Sequence, residues 1–334
     1  MLRIVLVSLC SLAILVNSIW ALLALWYQLP WSLAARLATC ALWLLGTIGV
    51  LFMLWSGTYL WAILAYLAMF VLIMLWWGRL EPTHERDWAD DLARITTGVI
   101  DGDRVALSDV RNFHWRTLTD YDVRWESREY DLSRLRSVDL ITSQWGLPGV
   151  AHILVSFGFD DGRFITFTVE IRRTRDQSFS AIGGFFKQFE LNVLASDERD
   201  AVRLRTNVRG EEGRIYSIQM SERAMRRLFI AYVEEANRLA REPRHYHTIT
   251  ANCTIIVYNM MAEIIKGLPM DVRLFLSSHL PSYIKEHGGL VDRPLEELQQ
   301  LGRFTERARE ADQAEDFSWR IRQGVPGWDV PGDR

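Results

Sequence analysis

The chain has 334 residues, with 38 Lys and Arg against 41 Asp and Glu and a formal net charge of −3. A balance this even carries no overall footprint for nucleic acid. Three cysteines, only one of them in polar sequence, exclude a disulfide framework and a cysteine-rich zinc site.

The near-zero mean hydropathy averages two unlike parts. Residues 1–78 carry only Arg3 and Arg36 as ionic side chains. About 20 apolar residues span a bilayer core. Ile4 to Trp26, Leu37 to Trp55 and Tyr59 to Trp77 each meet that length. The break Ser56-Gly57-Thr58 predicts a tight helical hairpin, since one kinked helix would be about twice the length a crossing needs. Trp20, Trp26, Tyr27, Trp31, Trp55, Trp76 and Trp77 fall mostly near the ends of these spans, as interfacial aromatics do. No small-x-small cleavage site follows the first span cleanly, which argues against a signal peptide. Arg3 favours a cytoplasmic N-terminus, and three crossings then put residues 79–334 outside the cytoplasm. Arg79 and Arg86 oppose this and weigh less, because long domains contribute little to the charge rule.

Residues 79–104 form a charged juxtamembrane connector, helical around Asp87 to Ile95. Residues 105–300 have the length to bury a core as one domain, and 301–334 form a C-terminal tail, mobile or wrapped on the surface through Trp319 and Trp328. Val150 to Phe159 and Arg163 to Arg172 predict two strands joined by the hairpin turn Asp160-Asp161-Gly162. A further strand falls at Arg214 to Met220. Ser221 then caps a helix to about Arg241, whose apolar positions Met225, Leu228, Phe229, Tyr232, Val233 and Ala236 recur every three or four residues. Ile255 to Ile265 predicts another helix, closed by Gly267 and Pro269. The fold class is α+β: membrane helices, then a mostly antiparallel sheet carrying helices.

Cys253 opens that last helix, in the run Thr250-Ala251-Asn252-Cys253-Thr254. Unpaired amides and the helix dipole at such a position stabilise a thiolate, so its pKa is expected to fall. A nucleophilic cysteine needs a base, best held by a third polar group. If Phe159 pairs with Arg163, paired numbers sum to 322 and His152 faces Glu170; a slip of one residue turns the side chain to the other face. Each also has a plainer reading. Cys253 can be a buried structural thiol, His152 a core histidine, and Glu170 a salt-bridge partner of Arg172 or Arg199. His245 and His247 form a His-x-His pair that could serve a metal, yet no HExxH or cysteine pair accompanies it. No Gly-x-Ser-x-Gly elbow and no phosphate loop occurs. The basic pairs Arg172-Arg173, Arg203/Arg205 and Arg226-Arg227 are solvated faces or, beside a membrane, sites for lipid phosphates.

The stretches Asn112-Phe113 with Tyr121 and Trp125, Tyr130-Asp131-Leu132, Ala151-His152 with Ser156-Phe157-Gly158-Phe159, Val169-Glu170-Ile171-Arg172, Asp197-Glu198-Arg199-Asp200, Arg205-Thr206-Asn207-Val208-Arg209, Tyr246 and Asn252-Cys253-Thr254 resemble the Lnb N-terminal periplasmic domain family, over roughly residues 108–292. The resemblance implies a circularly permuted papain-like domain of the NlpC type. It implies Cys253 as nucleophile and His152 as base; Glu170, from the hairpin register, is the candidate third member, and Asn252, Tyr246 and His247 are candidate supports. It implies a membrane-anchored acyltransferase without cofactor or metal, taking an acyl chain from a phospholipid and passing it to an amine such as a lipoprotein N-terminus. The three membrane helices depart from the arrangement of acyltransferase relatives, which leaves the substrate open. Two other functions fit the same residues: a cysteine peptidase or amidase acting on envelope peptides, and a non-catalytic membrane-anchored binding module.

Overall fold

The computed structural model describes residues 1–146 and 148–328. It divides into two compact units, residues 1–84 with 179–189, and residues 85–178 with 190–334.

The first unit is built on α1 (Leu2–Gln28), α2 (Leu33–Trp55) and α3 (Tyr59–Gly78). All three are long and apolar enough to cross a membrane. The Ser56-Gly57-Thr58 break is a turn, not a kink. Gly57 takes φ 95°, a left-handed conformation that favours glycine, and the Ser56 and Thr58 hydroxyls both donate to the Met53 carbonyl at 2.9 Å. Inside the bundle, the Ser18 and Thr47 hydroxyls bond each other at 3.1 Å, which satisfies both where water is excluded. Residues 179–189 pack on the ends of α1 and α3. Phe186 stacks on Tyr27 and meets Trp77 edge-on, and Lys187 Nζ donates to the carbonyls of Trp77 and Leu80 at 3.0 and 3.2 Å. A cation there also complements the negative end of α3.

The second unit is a sheet with helices on both faces. Its strands are β1 (Thr97–Asp101), β2 (Arg104–Arg111), β3 (His114–Trp115), β4 (Tyr121–Asp122), β5 (Trp125–Asp131), β6 (Leu135–Gln144), β7 (His152–Phe159), β8 (Phe164–Arg172), β9 (Glu190–Ser196) and β10 (Glu212–Ser217). The order is β1-β2-β9-β8-β7-β6-β10, with β5 also on β2 and β3-β4 as a separate pair. Every pairing is antiparallel except β2 with β9, which meet in parallel at Arg111 and Ser196. The expected α+β class with an antiparallel sheet is what the chain forms.

The helices are α4 (Glu198–Arg203), α5 (Glu222–Arg241), α6 (Cys253–Ile264), α7 (Leu280–Glu286), α8 (Leu295–Leu301), α9 (Thr305–Ala311) and α10 (Phe317–Arg320). Ser221 caps α5 by accepting from the Ala224 amide at 3.3 Å. The stripe Met225, Leu228, Phe229, Tyr232, Val233, Ala236 packs on Val155, Phe157, Phe167 and Val169 of the sheet, forming the main core together with Ile255, Ile256 and Met260 of α6. The other face carries a second core of Ile141, Leu154, Val202, Ile215, Phe304, Ala308, Phe317 and Ile321.

One expectation differs from the structure, and for the last segment one of the two expected alternatives fits. Residues 87–95 hold one 3-10 turn, Asp90–Leu92, and residues 97–101 are strand β1. The cause is a second hairpin: Asp101 pairs with Arg104 across Gly102, at φ 59°. The last segment is not mobile through residue 328. Arg322 is wholly buried, with Nε on Asp139 at 2.7 Å and its terminal nitrogens on Glu198 at 2.9 and 2.6 Å. Trp319 packs between Phe164 and Trp328, so the wrapped alternative describes this stretch. A buried cation joined to two buried carboxylates ties the turn after α10 to β6 and α4, because a lone charge there would cost several kcal/mol.

Candidate active site

The β7-β8 hairpin turns at Gly162, with φ 83°, and the Phe159 amide donates to the Arg163 carbonyl at 3.0 Å. Leu154 pairs with Thr168 and Gly158 with Phe164, a register sum of 322. Carried two residues further, the register sets His152 opposite Glu170. Their side chains meet there: His152 Nε2 lies 3.0 Å from Glu170 Oε1 and 2.6 Å from Thr168 Oγ1. Thr168 and Glu170 share one side of β8, since strand residues two apart point the same way.

Glu170 has a buried cation partner, and it is neither Arg172 nor Arg199. Arg172 donates to the carbonyls of Leu92 and Ala93 and lies over the Trp88 ring, while Arg199 pairs with Asp197. The partner is Arg205, on the π-helical turn Leu204–Val208 that continues α4. Its guanidinium bridges Glu170 and Glu211, each at 3.2 Å. Glu211 in turn accepts from the Ser143 hydroxyl, and Ser143 pairs with His152 across β6-β7. One closed polar network therefore lies around the imidazole. π-turns are rare and recur at functional sites, because the extra residue re-aims a side chain.

The network fixes charge states. Burial alone would raise the Glu170 carboxyl, but His152 and Arg205 beside it hold it well below the usual carboxylate range. Burial, and then the Arg205 charge, push the His152 ring below its ordinary value against the pull of Glu170. The ring is thus neutral at pH 7 beside an ionised carboxylate. A carboxylate only accepts, so Nε2 carries the proton and Nδ1 keeps its lone pair.

Cys253 starts α6 and is half-buried. The Ile153 amide, one residue beyond His152, and the Thr254 hydroxyl both favour its thiolate. Among the described residues no hydrogen bond joins the ring to the thiol. The expectation of a lowered thiol pKa does not hold. Burial is the largest influence and raises it, and the Glu170 charge raises it further. The Ile153 amide, Thr254 and Arg205 lower it by less. The helix start offers little because its cap is occupied: Asn252 Oδ1 accepts from the Thr254 and Ile255 amides at 3.0 and 2.9 Å. The Asn252 side-chain amide also donates to Thr248 O at 2.7 Å, fixing the preceding loop.

Tyr246 packs beside the main core. Burial and the charges of Cys253 and Glu170 push its phenol upward, so it stays a proton donor in their field. His247 organises the turn before Asn252: its Nδ1 accepts from the Ile249 and Thr250 amides at 3.3 and 3.2 Å. His245 forms a bridge with Glu190 of β9. Among the described residues no three His, Cys, Asp or Glu side chains are arranged to hold a metal. Sequence reasoning missed Thr168, Arg205, Glu211 and Ser143 as parts of the site. Thr168 was within reach, two residues before Glu170 on a strand whose face was already assigned.

Residues 121–278 match the family model described as the Lnb N-terminal periplasmic domain, the family that the motifs resemble. The matched range holds His152, Thr168, Glu170, Arg205, Glu211 and Cys253 and excludes α8 to α10. No curated protein and no solved structure matches the chain.

Proposed function

We propose, from the match of residues 121–278 to the Lnb N-terminal periplasmic domain family, that this chain is a membrane-anchored thiol acyltransferase. The family description and the three apolar helices fit an inner-membrane protein with a periplasmic domain. The observation that carries the chemistry is the His152 Nε2 to Glu170 contact of 3.0 Å, which leaves Nδ1 as a neutral base, one residue before the Ile153 amide that favours the Cys253 thiolate.

In this reading, Nδ1 of His152 takes the Cys253 proton as sulfur attacks the ester carbonyl carbon of a phospholipid. The tetrahedral oxyanion collapses, the carbon–oxygen bond to glycerol breaks, and the imidazolium returns the proton to the leaving alkoxide. A lysophospholipid departs and a thioester remains on Cys253. An amine, such as a lipoprotein N-terminus, then attacks the thioester carbonyl and gives its proton to His152. The thiolate leaves, is reprotonated by the imidazolium, and an amide is the product. A thiol and imidazole that rest uncharged suit a buried site, because no ion pair is held in low dielectric between turnovers. The Cys253 amide, which the Asn252 cap does not take, is the helix-start donor for the oxyanion. The ring and thiol tighten on substrate binding, as catalytic contacts often do.

The test is product mass spectrometry with the full-length protein in phospholipid vesicles and an amine acceptor. Wild type is expected to yield the acylated amine, and Cys253→Ala none. Cleaved peptide without acylated amine would assign the site to a peptidase or amidase, and a fully active Cys253→Ala would end the reading.

A further inference from the structure

A cavity of about 110 Å³ lies between α6, α5 and strands β6 and β7. Its wall on α6 is Val257, Tyr258, Met261 and Ile265. Val257 and Met261 follow Cys253 by four and eight residues, so they continue the stripe of α6 that begins at the thiol. On β7 the wall is Val155, on the same face of the strand as Ile153 and opposite to His152. The α6 wall thus starts from the residue assigned as nucleophile.

The lumen is lined mainly by apolar side chains, with Gln219 contributing an amide. Among its lining residues, the Tyr258 hydroxyl donates to Leu268 O at 3.0 Å, the Tyr283 hydroxyl donates to Pro269 O at 2.9 Å, and His287 Nδ1 donates to Tyr283 O at 2.8 Å. An apolar void on the order of 150 Å³ stays dry and takes up small hydrocarbons. Leu268 and Leu274 of the lining come from a segment that exposes apolar surface: Ile265, Met270, Val272, Phe275 and Leu276 are 41% to 70% exposed. Apolar exposure on that scale in one short segment marks contact with an apolar partner. In a chain with three helices fit to cross a membrane, the apolar phase at hand is lipid.

We propose that this cavity holds a segment of one hydrocarbon chain of a membrane lipid. The ester carbonyl sits at the Cys253 end of α6 and the chain runs toward residues 265–276. The helix has 12 residues, about 18 Å, against which a long acyl chain can lie. The placement of the carbonyl rests on the acyl-transfer reading; the binding of the hydrocarbon does not.

The test uses the full-length protein in nanodiscs of phosphatidylethanolamine and phosphatidylglycerol, doped with a phospholipid bearing a diazirine near the end of one acyl chain. After irradiation, mass spectrometry is expected to find crosslinks within residues 257–276, in wild type and in Cys253→Ala alike. Met261→Trp, from α6, and Met220→Trp, from the opposite lining, should each weaken them at least about fivefold by occlusion. Crosslinks confined to α1, α2 and α3, or unchanged in both Trp variants, overturn the proposal. So does an apolar heptapeptide that abolishes the crosslinks where free fatty acid does not, since that assigns the cavity to peptide. Crosslinks without a Cys253 thioester keep the hydrocarbon site and remove the acyl-transfer reading; a thioester without crosslinks does the reverse.

Discussion

Replacing Arg205 with Met isolates the network around His152. The Arg205 side chain is only 9% exposed and spans Glu170 and Glu211, at 3.2 Å each. Met fills much of the same space but leaves two buried carboxylates without their shared cation. Breaking a buried pair by removing one partner costs about 3–5 kcal/mol. In a domain of this size each kcal/mol moves Tm by about 2–4 °C, so the expected fall at neutral pH is roughly 6–20 °C. The sign of the pH dependence follows from the two carboxylates. Both are held below their ordinary values despite burial, Glu170 by His152 and Arg205, and Glu211 by Arg205 and Ser143. A depressed carboxylate contributes stability above its unfolded pKa and loses it as pH falls through its folded pKa. The gap between wild type and Arg205→Met should therefore be widest near pH 7 and close only as pH falls below the ordinary carboxylate range toward the depressed folded values. Removing Arg205 also removes a charge that lowers the His152 ring, so the acidic limb of the pH–rate profile should move up. Differential scanning fluorimetry over pH, with the acyl-transfer pH profile alongside, reads both effects. A Tm loss under about 2 °C, or a gap that widens in acid, refutes the reasoning. Lys at 205 should rescue little, because one ammonium cannot fork across two carboxylates.

Thr168→Val should lower kcat about 5–10-fold with KM unchanged, since it removes the 2.6 Å hydroxyl contact that orients the ring; an equal change in KM would point to a merely structural loss. Glu170→Gln, in a background with Cys10 and Cys40 changed to Ser, should lower the pH midpoint of Cys253 alkylation by iodoacetamide, because a charge that raises the thiol pKa is gone; a midpoint that stays or rises contradicts the assigned electrostatics. Asn252→Ala should cost about 1–2 kcal/mol in denaturant unfolding, and Asn252→Asp far less, because the cap on α6 is lost in the first and kept in the second.

The parts legible in the sequence are those set by short-range rules. Hydropathy marks three spans because a bilayer needs about 20 apolar residues. An Asp-Gly turn between two β-branched runs fixes the β7-β8 register, and with it the meeting of His152 and Glu170. The same rule, left unapplied at Asp101-Gly102, accounts for the missed β1-β2 hairpin. Strands β6 and β9 were harder to see. Each interleaves charged or polar residues, such as Asp139 and Asn192, that are buried and held by distant partners through one side-chain atom, so neither shows an apolar-polar alternation. Arg205 reaches Glu170 from 35 residues away through a π-turn, and Arg322 reaches Asp139 across 183. No local pattern encodes either contact. The thiol pKa was misjudged for a similar reason: the helix start is visible in sequence, but burial and the Glu170 charge that outweigh it come from the fold.

The central claim is that Cys253 carries the acyl chain. Full-length protein in vesicles of a single diacyl phospholipid, quenched in acid before acceptor is added, should show by intact mass spectrometry one added acyl group. Hydroxylamine should remove it, and peptide mapping should place it on Cys253, with none in Cys253→Ala and a strongly reduced yield in His152→Ala. An unmodified Cys253 under conditions where the protein acylates an amine, or an adduct that persists in Cys253→Ala, contradicts the account.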